Sequence, residues 1–169
     1  HGQRVLLWGH NPSHVQNMAQ SRENQRYLPG VNFPPSLHPE ASLETCIQQA
    51  DTLIIAVPSH AFADLLTQLP QNLSGIAWLT KGIDPKKHAC LSQLVSDQWG
   101  YTFPMAAISG PSFAKEVANG QPTALVIAGN NSEYLHELRD ELHHSHVRVY
   151  LSHDIIGVQC AGAVKNVLA

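Results

Sequence analysis

The chain has 169 residues, 43% apolar, 14% charged and 7% aromatic, which is enough apolar content for a compact core and excludes intrinsic disorder. Ten Lys and Arg against thirteen Asp and Glu leave a formal charge of −3, so no basic field exists to hold a nucleic-acid backbone. No run approaches the roughly eighteen unbroken apolar residues of a membrane span, and Cys46, Cys90 and Cys160, without Cys-x-x-Cys spacing, predict reduced structural thiols and a cytoplasmic setting.

The first apolar run, Val5-Leu6-Leu7-Trp8, predicts a strand that begins almost at the N-terminus, with no initiator Met and no leader pattern. Asn11-Pro12 reads as a helix N-cap followed by proline at the first helical position, with Val15, Met18 and Ala19 on one face. Pro29, Gly30, Pro34, Pro35 and Pro39 predict an irregular surface excursion from Tyr27 to Glu40. Ser42 then caps a short helix with Leu43, Ile47 and Ala50 on one side.

The β-branched run from Thr52 to Val57 predicts a strand covered on both faces, ended by Pro58, with Ser59 as the N-cap of a helix carrying Phe62, Leu65, Leu66 and Leu69. A strand from Gly75 to Leu79, a loop from Thr80 to Lys87 and a helix with Leu91, Leu94, Val95 and Trp99, ended by Gly100, follow. Next come a strand Met105 to Ile108, the turn Ser109-Gly110-Pro111-Ser112, a helix Phe113 to Ala118 and a strand Ala124 to Ala128. A helix Glu133 to Leu142 leads to a half-exposed strand in which Val147, Val149 and Leu151 alternate with Arg148, Tyr150 and Ser152. The last helix starts near Asp154 and runs to Ala169 without a stop signal, so the expectation is a fragment cut inside structure at both ends.

This alternation predicts an α/β, Rossmann-like doubly wound fold with a mostly parallel sheet. Ligands in such sheets sit at the carboxyl ends of the strands, which directs attention to the loops after Trp8, Val57, Leu79 and Ile108. The glycine fingerprint G-x-G-x-x-G is absent after the first strand, so the expected fold lacks its first strand and phosphate loop. Gly9-His10-Asn11 replaces the acidic residue that would read an NAD ribose, which permits NADP; the alternative is a solvated His10.

Thr80-Lys81-Gly82 places a cation directly after a buried strand, either as a phosphate or substrate contact or as a solvent-facing lysine like Lys86 and Lys87. The segment from Ser109 to Phe113 offers amides at a helix start for an anion, with Ser112 equally explained as a plain N-cap. Lys165 is the lone charge after Asp154 among small apolar residues; such an amine either loses pKa and serves as a general acid or base, or snorkels to water. His143, His144 and His146 lack the companions of a zinc set, so no metal is expected.

Read together, Leu7-Trp8-Gly9-His10, Arg26-Tyr27-Leu28-Pro29-Gly30, Val57-Pro58-Ser59, Thr80-Lys81-Gly82, Ser109 to Ala114 and Gly162-Ala163-Val164-Lys165-Asn166 closely resemble bacterial NAD(P)-dependent glycerol-3-phosphate dehydrogenases in order and spacing. The resemblance implies an incomplete dinucleotide-binding domain over residues 1–152 and the start of a helical substrate domain over residues 153–169. It implies Lys165 as catalytic acid/base, Lys81 as a contact of both substrate and cofactor, Gly110 and Ser112 lining the substrate site, and His10 and Ala114 touching the cofactor, with NADP favoured over NAD. Asn166 adjoins the catalytic lysine, in an orienting role only. The implied reaction is reversible reduction of dihydroxyacetone phosphate, a small-molecule phosphate, for glycerophospholipid synthesis, in an enzyme that admits a homodimer. The family's phosphate loop and most of its helical domain fall outside this sequence, so the fragment is expected to be inert. Rival readings are a dehydrogenase of the 6-phosphogluconate or β-hydroxyacid type, against which the Ser-Gly-Pro-Ser-Phe block argues, and a non-catalytic α/β binding module.

Overall fold

The computed structural model describes residues 3–168, with side chains up to residue 164. They form two compact units, one of residues up to Asp51 with Phe113–Gln121, the other of Thr52–Ser112 with the residues from Pro122 onward.

The first unit opens with β1 (Val5–Trp8), α1 (Pro12–Ser21), β2 (Leu37–Glu40) and α2 (Leu43–Gln49). Both helix starts follow the sequence: Asn11 accepts from His14 N at 3.0 Å with Pro12 first in the helix, and Ser42 Oγ accepts from Thr45 N at 3.1 Å. Each cap satisfies an amide that the first turn leaves without a partner, worth about 1 kcal/mol. The excursion expected from Tyr27 to Glu40 is partly regular, because β2 pairs in parallel with β1 and places Pro39 opposite Leu7. Proline cannot donate to a ladder but survives in an edge strand, which is why counting prolines conceals β2. Arg22, at φ 55, holds the excursion with hydrogen bonds to Leu37 O at 2.9 Å and Pro34 O at 2.7 Å.

The second unit runs through β3 (Ile54–Ile55), α3 (Ser59–Leu66), β4 (Ile76–Trp78), a hairpin of β5 (Ile83–Asp84) and β6 (Ala89–Cys90), α4 (Leu91–Trp99) and β7 (Met105–Ser109). The five-residue α5 (Ala114–Ala118) belongs to the first unit, and the second resumes with β8 (Thr123–Gly129), α6 (Ser132–Leu142), β9 (Val147–Ser152) and α7 (Ile155–Leu168). Its sheet has the order β3-β4-β7-β8-β9, with β3, β4 and β7 parallel, β8 antiparallel to β7 and β9 parallel to β8. The architecture is therefore α/β and Rossmann-like, with a mixed, mostly parallel sheet. Among the described residues β1 pairs with β2 alone, in a separate two-stranded sheet.

The core forms where the alternation of the sequence places it. Ala77, Ala106, Ile108 and Ile127 from the sheet pack with Leu135 and Leu138 of α6 and with Val147 and Val149, while Arg148 and Tyr150 stay exposed. Phe62, Leu65 and Leu66 bury one face of α3, and Phe62 meets Trp78 edge-on at 5.8 Å between ring centroids. Burial of each such side chain stabilises the fold by about 1.5–3 kcal/mol.

Several local expectations change. The run from Thr52 to Val57 forms a ladder over Ile54–Ile55 alone, and the loop from Thr80 to Lys87 contains most of a hairpin. Neither serine expected to cap does so: Pro58 occupies the N-cap of α3 and Phe113 that of α5, both without a capping side chain. The three cysteines are free thiols: Cys46 is buried, Cys90 is half-buried and Cys160 is exposed. Among the described residues no helix is long and apolar enough to cross a membrane.

Candidate active site at the sheet edge

Because β3, β4 and β7 are parallel neighbours, the segments that follow them leave the sheet at one edge, the position where such sheets bind ligands. The first two segments are tied together, since Thr80 Oγ1 donates to Val57 O at 2.7 Å. Gly82 has φ +107, where only glycine is unstrained, and a Cβ there would lie 3.5 Å from Ser59 Oγ. Directly afterwards Asp84, 1% exposed, holds the hairpin turn by accepting from Lys86 N at 3.0 Å and Lys87 N at 2.6 Å. Asp84-Pro85 is a turn-initiating pair, the signal that could have disclosed this residue in the sequence.

The third segment begins at Ser109 and Gly110. A Cβ on Gly110 would strike the carbonyl oxygen of Ala124 on the antiparallel neighbour β8, so the turn can follow the sheet this closely only without a side chain. Ser112, half-buried, lies two residues further along.

A fourth element reaches this edge from the other side of the sheet's length. β9 runs opposite to β7, so α7 starts at the far edge, where the Asp154 carboxylate accepts from Gly157 N at 2.8 Å. Rising about 1.5 Å per residue, the helix brings Gly162 back to the loops: a Cβ there would lie 2.9 Å from Ser109 Oγ and 3.7 Å from Lys81 Cγ. The glycine therefore sets how closely α7 approaches Lys81 and Ser109. Buried Gln159 fixes the helix further back, accepting from Ser92 N at 3.1 Å and donating to Ser92 Oγ at 2.9 Å and Ile155 O at 3.1 Å. Since α4 has no capping side chain of its own, Gln159 supplies the cap from α7. Nothing local in the sequence marks Gln159 for that role.

Among the residues singled out from the sequence, Lys81, Gly110 and Ser112 thus follow strands at one edge. Lys81 is half-buried against α7, unlike Lys86 and Lys87, exposed lysines that pair with Asp64 at 3.7 Å and Asp97 at 3.8 Å. Lys165 follows Gly162 on α7 by its backbone, and its side chain and that of Asn166 lie outside the described residues. His10 and Ala114 are both exposed and belong to the first unit. In that unit a groove of about 320 Å³, lined by Asn11, His14, Asn17, Glu23 and Arg26, begins at the residue after His10.

The histidine cluster is occupied by its own turn: His143 Nδ1 accepts from Val149 N and His144 Nδ1 from His146 N, both at 3.3 Å. Partial burial, then His146, pushes the His144 pKa down. Among the described residues no group of three His, Cys, Asp or Glu could hold a metal ion.

Comparison with known proteins converges on one family. Residues 1–135 match the model of the NAD-dependent glycerol-3-phosphate dehydrogenase N-terminus. A glycerol-3-phosphate dehydrogenase [NAD(P)+] of Legionella pneumophila is 55% identical over 168 residues, covering 99% of this chain and 51% of the relative. A crystal structure of the glycerol-3-phosphate dehydrogenase of Coxiella burnetii superposes with a TM-score of 0.92 at 40% identity, over 99% of this chain and 52% of that one. The Plasmodium falciparum enzyme of the same name gives 0.84 at 26% identity, over 98% and 48%. The chain spans about half the length of the curated relatives it matches. With Lys81, Gly110 and the glycine of α7 gathered at one sheet edge, and a family model matched over most of its length, this chain belongs to the NAD-dependent glycerol-3-phosphate dehydrogenase family.

Proposed function

We propose that this chain forms the cofactor-side half of an enzyme that reversibly reduces dihydroxyacetone phosphate to sn-glycerol 3-phosphate for glycerophospholipid synthesis in the cytoplasm. The observation that carries the reading is the approach of α7 to Lys81 and Ser109, which gives a helix bearing Lys165 a defined place beside the strand-end loops. In this reading residues 1–152 serve cofactor binding and residues 153–169 open the substrate part, although α7 packs in the same compact unit as the sheet.

A nicotinamide dinucleotide suits the residues present. Glycines at 82 and 110 bare the backbone at the loops, and a half-buried lysine supplies a cation for an anionic ligand. When bound, the nicotinamide supplies or accepts the hydride at C2 of the substrate. His10, Lys81 and Ala114 are the residues assigned to hold it; Lys81, Gly110, Ser112 and Lys165 are assigned to the substrate. NADP is favoured over NAD, because the segment Gly9-His10-Asn11 has no carboxylate to repel a ribose phosphate.

Carbonyl reduction builds negative charge on the substrate oxygen. A lysine placed there stabilises that charge and delivers the proton; in the reverse direction its neutral amine takes the alcohol proton. Lys81 acts earlier, as a fixed cation that orients the phosphate or carbonyl before the transition state. The partners are a small phosphate-bearing molecule and, at the level of assembly, a second copy in a homodimer.

Steady-state kinetics of two variants of the whole protein test the assignment. Lys165→Met lowers turnover by ~10² or more while NADPH binding persists, and Lys81→Met raises KM more than it lowers turnover. Near-normal turnover in Lys165→Met would remove that lysine from the chemistry.

A further inference from the structure

Lys81 sits between a fixed residue and a pliable one. On its N-terminal side Thr80 Oγ1 donates to Val57 O at 2.7 Å, which ties the chain to the end of β3. On its C-terminal side Gly82 stands at φ +107, and a residue without Cβ does nothing by itself to keep the backbone there. The next fixed point is Asp84. Its Oδ1 accepts from Lys86 N at 3.0 Å and Lys87 N at 2.6 Å, and its carbonyl oxygen accepts from His88 N at 2.9 Å. These bonds close the hairpin that pairs Ile83 with Cys90 and Asp84 with Ala89. β6 runs directly into α4, whose first turn Gln159 of α7 holds through Ser92. The same α7 carries Gly162, where a Cβ would lie 3.7 Å from Lys81 Cγ. Asp84 therefore fastens the segment after Lys81 to the frame that also holds the helix beside Lys81.

The anchor destabilises the fold in one respect. Asp84 is 1% exposed, and its Oδ2 is buried with no hydrogen-bond partner among the described residues. A carboxylate oxygen removed from water without a partner is unfavourable. A hairpin turn by itself needs no buried carboxylate, since Asn, Gly or Ser at the surface closes one as well. What the position gains is a fixed end for the three residues Lys81-Gly82-Ile83.

We propose that Asp84 is a positioning residue: with Thr80 it holds Lys81 at the sheet edge beside α7, and so sets the affinity for the phosphate-bearing substrate. The inference rests on the role of Lys81 under the proposed function and extends it to a residue that touches neither substrate nor cofactor. The Oδ1 acceptor, not the charge, does the holding, because both side-chain bonds of Asp84 end on that atom.

The test is a double-mutant cycle in the whole protein, read by steady-state kinetics and by backbone amide relaxation in NMR without cofactor. Asp84→Ala raises KM for dihydroxyacetone phosphate roughly fivefold or more and changes kcat less, and in the Lys81→Met background the same change leaves KM within about twofold. The order parameters of Lys81 and Gly82 fall from about 0.85 to below about 0.6. Asp84→Asn keeps a carbonyl oxygen at the Oδ1 position and restores both readouts. Should the alanine protein not fold, Asp84→Ser, whose hydroxyl falls short of that position, carries the same comparison. Order parameters of Lys81 and Gly82 unchanged while those of Lys86 and Lys87 fall reduce Asp84 to a local turn residue and overturn the proposal. So does a KM increase of equal size in both backgrounds, or an asparagine variant as impaired as the alanine one. A wild-type KM in Lys81→Met alone overturns the assignment of Lys81, and the positioning role with it.

Discussion

Gln159→Met tests whether α7 caps α4, since methionine preserves the length and much of the volume of glutamine while deleting its hydrogen bonds. Both Gln159 and Ser92 are 6% exposed, so water cannot replace what is lost. The Ser92 amide, in the first turn of α4, loses the acceptor now 3.1 Å away. A buried donor left unsatisfied costs about 1–3 kcal/mol, and the bonds to Ser92 Oγ and Ile155 O contribute about 1 kcal/mol more. The sum is about 2–4 kcal/mol, which for a chain of this size lowers Tm by roughly 4–16 °C. Gln159→Glu keeps the acceptor and puts a negative charge at a helix N-terminus, where it is favoured by about 0.3–1 kcal/mol, so its loss stays within about 1 kcal/mol. Urea unfolding followed by circular dichroism measures all three proteins. A methionine variant within about 0.5 kcal/mol of wild type, or a glutamate variant destabilised as much as the methionine one, refutes the capping argument.

Tyr134 has a buried hydroxyl with no hydrogen-bond partner among the described residues, and burial, then Glu141 and Glu137, pushes its pKa well above the ordinary tyrosine value. Tyr134→Phe is therefore neutral or stabilising by up to about 1 kcal/mol in thermal melts at pH 7. The folded chain also keeps a proton that the unfolded chain releases near pH ~10, so wild-type stability, full below that pH, falls above it, and the phenylalanine variant flattens that slope. Gly110→Ala drives a methyl group into the Ala124 carbonyl oxygen, a backbone atom that cannot swing aside; a loss of about 2 kcal/mol or more in urea unfolding is expected. In the whole protein, His10→Asp shifts the ratio of kcat/KM values toward NADH, and an unchanged ratio removes His10 from cofactor selection.

What the residues themselves determined was local. Asn11-Pro12 and Ser42 cap helices because each side chain reaches amides of its own first turn, and Phe62, Leu65 and Leu66 share a face because the helical period is intrinsic to the backbone. The alternation of Val147 and Val149 with Arg148 and Tyr150 likewise specified a half-buried strand. The segments around Lys81 and Gly110 could be found for the same reason: each directly follows an apolar run, closed by Thr80 in one case and Ser109 in the other, and each carries a motif of its own. Tertiary structure decided everything that depends on a partner. The β2 strand exists through its pairing with β1 despite Pro39, and the direction of β8 is set by its ladder with β7. Pro58 and Phe113 take N-caps expected of Ser59 and Ser112 because the incoming chain sets where each helix begins. Gln159 caps a helix far away in sequence, and Gly162 comes near Lys81 only because β9 runs opposite to β7 and returns α7 to the same edge. Caps and periods cost and gain their free energy within a few residues, so they are written in short stretches of chain; strand partners and helix contacts are chosen by the burial of the whole unit, to which no short stretch has access.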